Sequence, residues 1–185
     1  YTHIAGTIEP AQVANVNNSD GVSIMETPSS SLTYVGFNTK KAPFDDAKVR
    51  QAISMAIDRA KLIEGIYNGY GIPAISPLSP GIFGYTEDIT AMSYDLEKAK
   101  ALLAEAGYAD GFTTQIWTND NPARQQVAVV LQEALKQLNI TVSIDVMEFG
   151  AYLEKTAAGE HDMFILGWSN ATNDADYGLY ALFHS

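Results

Sequence analysis

TTQIWTNDNPARQQVAVVLQEALKQLNITVSIDVM, residues 113–147, reads as strand, helix, strand. Residues 113–117 favour extended structure, and the polar run 119–122, ending in Pro122, supplies a turn and a helix start. Val127, Leu131, Ala134, Leu135 and Leu138 then recur at helical spacing on one side. In 141–147, Val142, Ile144 and Val146 alternate with Thr141, Ser143 and Asp145, the period of a strand with one buried face. A short helix over 152–157 follows, and after it Met163, Phe164, Ile165 and Leu166 form an unbroken apolar run that suits a central strand covered on both faces. This run ends at Gly167 and Trp168. Strand and helix alternate throughout, which predicts an α/β layered architecture with right-handed crossovers wherever neighbouring strands are parallel.

Upstream, the pattern is consistent with this. Residues 95–107 predict a helix that Asp95 caps, with Ala99, Leu102, Leu103 and Ala106 on one face and Gly107 as a left-handed terminator. Val49, Ile53, Ala56 and Ile57 mark a core-packing helix entered through Pro43, Asp45 and Asp46, and residues 34–38 form the strand before it. Leu62, Ile63 and Ile66 predict a second short helix, ended by Asn68 and Gly69. Beyond it, Pro73, Pro77, Pro80, Gly81 and Gly84 predict a long ordered loop, a kind of segment that often carries function. The first thirty residues read as loop, a short helix near Val13 and Val16, a turn at 17–21 and a short strand. At the other end, 177–183 reads as a helix that reaches the last residues without a cap, so a fragment of a larger protein is expected.

The 185 residues are 46% hydrophobic and 18% charged, enough to bury a core, and they include no cysteine for a disulfide, thiolate metal site or nucleophile. No apolar run approaches the ~20 residues of a membrane helix, and no basic-then-apolar leader opens the chain. A net charge of -11 disfavours binding to phosphate backbones, so nucleic acid is not an expected partner. Charge is also unevenly placed: no Lys or Arg follows Lys155, whereas Glu160, Asp162, Asp174 and Asp176 lie beyond it. Lining a cleft, such a segment attracts a cationic ligand; on an open surface it only aids solubility.

Catalytic signatures are missing. His3, His161 and His184 have no metal-ligand spacing, and no nucleophile elbow, phosphate-binding loop or dinucleotide fingerprint occurs, so no metal, cofactor or catalytic residue is expected. Asp174 and Asp176 admit two roles. One is to cap the helix that follows; the other is to receive an ammonium group between the amphipathic walls of Trp168, Tyr177 and Tyr180. As an acid and base pair they would instead serve a carboxylate-dependent hydrolase. Asn170 follows the buried strand, where loops of open sheets meet ligand, and is equally an ordinary turn residue.

Three segments resemble one family, the extracytoplasmic solute-binding proteins of ABC importers for oligopeptides, dipeptides, nickel chelates and glutathione. They are YVGFNTKKAPFDDAKVRQAISMAIDR at 34–59, SYDLEKAKALLAEAGYADGF at 93–112 and ILGWSNATNDADYGLYALFHS at 165–185. The resemblance implies a periplasmic-binding-protein-like lobe, a mixed sheet flanked by helices, in which 1–33 lead in and 34–185 form the main part. It further implies a two-lobed, non-enzymatic clamp that holds a peptide by its backbone and amino terminus and delivers it to a membrane permease. Glutathione, a nickel chelate or a sugar are alternative solutes. The implied location is outside the cytoplasm, in the periplasm or tethered to the membrane by a lipid on the parent protein. Among oligopeptide and dipeptide members an Asp three residues after the Trp receives the peptide amine; here that position is Ala171. The resemblance therefore points to Trp168, Asn170, Asp174, Asp176 and Tyr177 as ligand-binding residues, while Phe37 and Asn38 match a strand signature but have a sequence context that suggests packing or hinge support first.

Overall fold

A computed structural model describes residues 8–184, so His3 lies outside the described residues. A short helical turn at Pro10–Gln12 leads into α1 (Val13–Asn17), as expected near Val13 and Val16. The short strand expected after it does not form. Residues 22–29 have no regular structure, and β1 runs Ser31–Phe37, three residues earlier than its apolar run suggested. Leu32 and Thr33 join because they pair with β4, a contact that no local pattern encodes.

The remaining elements are α2 (Ala47–Met55), α3 (Arg59–Tyr67), α4 (Leu96–Glu105), β2 (Thr113–Asn119), α5 (Pro122–Lys136), β3 (Thr141–Met147), α6 (Phe149–Ala157), β4 (Met163–Ser169) and α7 (Ala175–Phe183). Their starts follow a shared rule: a polar side chain accepts a hydrogen bond from an otherwise orphaned first-turn amide. Asp46, Asp58, Asp95, Asn121, Glu148 and Asp174 do so for α2 to α7 in turn. At Glu148 the amides of Gly150 and Ala151 hold the carboxyl below its usual range. Asn68 and Gly107 stop α3 and α4 in the left-handed conformation, as expected.

The sheet is mixed, in the order β1-β4-β2-β3. β2 is parallel to both β3 and β4, whereas β1 runs antiparallel to β4, with Ser31 opposite Ser169 and Phe37 opposite Met163. One face of the sheet carries the main core. There Ile116, Val142, Met163 and Ile165 meet Val49 and Ile53 of α2, Leu103 of α4, and Val127, Leu131 and Leu135 of α5. Val142 is buried and Ile144 packs partly on the core, but Val146 is 51% exposed, so the apolar stripe of β3 fades along this edge strand.

The second face is aromatic. Phe164 meets the edge of Tyr34 with ring centres 5.9 Å apart and that of His161 at 4.8 Å, and Trp117 contacts His161. Gly36 is required here because the Phe164 ring occupies the space a Cβ would need. From α6, Tyr152 is fully buried and donates its hydroxyl to the carbonyl of Ile165 at 2.7 Å.

The start of β4 is clamped from the segment after β1. Asn38 donates through Nδ2 to the carbonyls of Gly159 and His161, and its amide donates to Asp162. Lys41 Nζ reaches the Glu160 carbonyl at 2.5 Å and the Asp162 carboxylate at 3.4 Å, while Thr114 donates to the other oxygen of Asp162. Asn38 therefore has the packing role its context suggested. Inside this clamp His161 is buried, and its Nδ1 has no partner among the described residues.

Burial lowers the His161 pKa first, and Lys41 adds to the effect; Asp162 and the Thr156 main chain oppose it less strongly. A histidine with a depressed folded pKa binds fewer protons folded than unfolded. Its contribution to stability is therefore complete above the ordinary imidazole value of about 6.5 and is lost as pH falls below it. Thermal unfolding from pH 7.5 down to 5.5 is expected to show a fall in Tm that His161→Gln reduces. An unchanged slope in that variant would remove His161 as the cause.

Candidate functional site

The C-terminal end of β4 carries the predicted residues. Parallel strands β2 and β4 are neighbours, and the chain passes from β2 to α5 and from β4 to α7. Trp168, near the end of β4, lies 5.1 Å from the Tyr177 ring of α7, tilted by 37°. The close fit depends on Gly178, since a Cβ there would come within 3.3 Å of Trp168 Nε1, a buried donor without a partner among the described residues.

Asn170 is only 4% exposed and serves the loop itself. Its amide donates to Ser30, its Nδ2 donates to the Asp174 carbonyl at 2.9 Å, and its Oδ1 accepts from Thr172. Of its two anticipated roles, the turn role is the one its contacts fill. Asp174 caps α7 by accepting from the Asp176 amide at 2.9 Å, so the helix begins at Ala175, two residues before the apolar pattern indicated. Asp176 sits in the first turn of α7 and Ala171 is exposed on the loop. The structure thus places Trp168, Asp174, Asp176 and Tyr177 around one strand end, with Asn170 beneath them.

Electrostatics set the two aspartates apart. Asp162, in the same cation-free stretch, is paired with Lys41. Among the described residues no ion pair reaches Asp174 or Asp176. Arg124, in the first turn of α5, donates to Asn119 at 3.0 Å, and its Nη2 fills the space beside Gly167 of β4, where a Cβ would be 2.8 Å away. The rim at the end of β4 therefore carries two carboxylates and an aromatic pair, while the Arg124 guanidinium lies beside Gly167 of the same strand.

Sequence reasoning missed two participants. Arg124 was not singled out by any pattern in the sequence. Phe83, in the proline-rich loop, pairs with the site loop as an isolated bridge to Asp174. The loop itself was marked by its Pro and Gly content, but its docking partner, ninety positions on, had no local signal.

Comparison with known proteins follows the same residues. The family whose model matches residues 2–185 is described as bacterial extracellular solute-binding proteins, family 5, middle region. The dipeptide-binding protein of Escherichia coli (strain K12) is 34% identical over 179 residues, which cover 94% of this chain and 34% of that protein. Heme-binding protein A of Haemophilus influenzae is 36% identical over 180 residues, 95% of this chain and 33% of that protein. The solved structure of the ABC transporter-associated periplasmic binding protein DppA from Helicobacter pylori, in complex with the peptide STSA, matches with a TM-score of 0.85 and 36% identity, over 94% of this chain and 34% of that one. The chain spans about a third of the length of the relatives it matches.

Proposed function

We propose, from the premise that this chain belongs to the bacterial extracellular solute-binding proteins of family 5, that it forms most of one lobe of a two-lobed, non-enzymatic clamp for oligopeptides. The clamp works outside the cytoplasm and passes its peptide to the membrane permease of an ABC importer. The observation that carries this reading is the rim at the end of β4, where the Trp168–Tyr177 pair stands beside two carboxylates that form no ion pair among the described residues. A peptide is a zwitterion with an extended, hydrogen-bonding backbone. Strand-end main-chain groups suit its backbone, and tolerant pockets around aromatic walls accept varied side chains. Its ammonium group finds an acceptor in Asp176 or in the Asp174 oxygen that does not cap α7. These carboxylates take the place of the acid that Ala171 lacks.

Closing such a clamp is a hinge motion that brings a second lobe over this rim. A ligand that binds only the folded state raises its melting temperature. Scanning fluorimetry of the full-length protein that carries this chain is therefore expected to show a rise of several degrees with pooled peptides, lost in Trp168→Ala. No rise with any peptide would retire the peptide reading. A rise with heme instead would favour a second reading, another solute on the same fold, for which the 36% identity to a heme-binding relative is the motivating observation.

A further inference from the structure

We propose that Phe83 is a ligand-contacting residue that selects for apolar side chains, presented to the site by a strap formed by residues 79–85; the proposal rests on the peptide-binding reading above. The strap is held at both ends of its short path. Two successive turns shape it, with the Ile82 amide donating to Ser79 and the Tyr85 amide to Ile82. Ser79, buried, reaches the Ser31 carbonyl at the start of β1, and Ile82, 4% exposed, anchors the strap.

Just beyond these anchors the main chain of Phe83 bonds to both neighbours of Asp174. Its amide donates to the Asn173 carbonyl at 2.9 Å, and its own carbonyl accepts from the Ala175 amide at 3.0 Å. Gly84 completes the dock: its φ of +94° is open to glycine, and a Cβ there would come within 2.9 Å of the Ala175 Cβ. The consequence is a fixed backbone beside a carboxylate of the site, carrying a phenyl ring that is 77% exposed.

A ring on a floppy loop can fold back onto the protein, whereas this one is pinned by two main-chain bonds and turned away from its buried neighbour Ile82. Its backbone is continuous with the Asp174 loop, so a ligand seated against that loop meets the ring. Burying it against an apolar ligand group removes hydrocarbon from water on both partners, and a polar ligand group gains nothing comparable. Phe83 thus adds preference for apolar residues to a site whose other contacts, main chain and charge, are shared by all peptides.

The test is calorimetry of the full-length protein with triserine and trileucine, which share backbone and termini. Phe83→Ala keeps the main-chain bonds of the strap; it is expected to weaken trileucine roughly tenfold or more and leave triserine within about twofold. Phe83→Leu, which restores an apolar side chain, is expected to recover most of the trileucine affinity. Equal losses for both peptides would overturn the proposal and make Phe83 a support of the loop or a contact with the rest of the protein. No change for either would overturn it as well. If the unaltered protein bound neither peptide, the peptide reading itself would fall, and this proposal with it.

Discussion

Gly111→Ala is expected to lower the unfolding free energy by about 2–4 kcal/mol, because strain and collision act together at one atom. Gly111 has a φ of +73°, a region costly to alanine, and its missing Cβ would run into the main-chain carbonyl of Asn139. Neither side can yield easily. The Gly111 amide donates to Tyr108 and the Thr141 amide to Phe112, which fixes the start of β2 against the start of β3, and Asn139 itself holds a left-handed turn after α5. Gly107→Ala is the matched control. It has a similar φ of +85° but open space where the Cβ would go, so it should cost only the conformational part, about 1–2 kcal/mol. Urea unfolding with unchanged slopes checks both, and equal midpoints for the two variants would show that the Asn139 collision is relieved by movement.

Tyr152→Ala is expected to be as damaging, about 3–5 kcal/mol, since it empties the largest fully buried side-chain site in the fold. Tyr152→Phe separates the ring from its hydroxyl. Burial and the neighbouring Tyr34 push the phenol pKa up, so the hydroxyl remains a donor to the Ile165 carbonyl at any ordinary pH. Losing that bond while keeping the ring should cost about 1–2 kcal/mol. A phenylalanine variant as unstable as the alanine one would mean that the hydrogen bond, and not the packing of α6, holds this face of the sheet together. The two rings of this stacked pair differ in kind: Phe149, 6.4 Å from Tyr152 between ring centres, is 43% exposed and is not expected to matter as much.

Local chemistry made much of this fold legible. Asp95 and Gly107 bracket α4 because a capping carboxylate and a left-handed glycine act within one turn of the helix they delimit, and the stripe from Val127 to Leu138 marks α5 for the same reason. What the sequence concealed depends on distant partners. Thr33 becomes strand because Gly167 lies opposite it, and Val146 surfaces because β3 is an edge. At the rim, Trp168, Tyr177 and Tyr180 were read as possible walls of a cleft, and the structure brings the first two rings into contact. Asn170 was drawn to the ligand by its position after a buried strand, yet its polar atoms are spent on Ser30, Thr172 and Asp174. Phe83 was invisible, since only the bridge to Asp174 distinguishes it from any exposed ring on a proline-rich loop.

The antiparallel pairing of β1 with β4 has a further bearing on how the chain is made. Ser31 and Ser169, joined through their hydroxyls, are 138 residues apart in sequence. On a ribosome adding about 5–20 residues per second, β1 waits roughly 7–30 s for β4, its one strand partner among the described residues, to emerge. Through that interval the β2-α5-β3 unit can close on itself, being local, while an apolar strand with tyrosine, valine and phenylalanine stays unpaired. Synthesis thus exposes a sticky edge early and covers it late, and the nascent chain is most in need of a holding chaperone before residue 163 has cleared the exit tunnel.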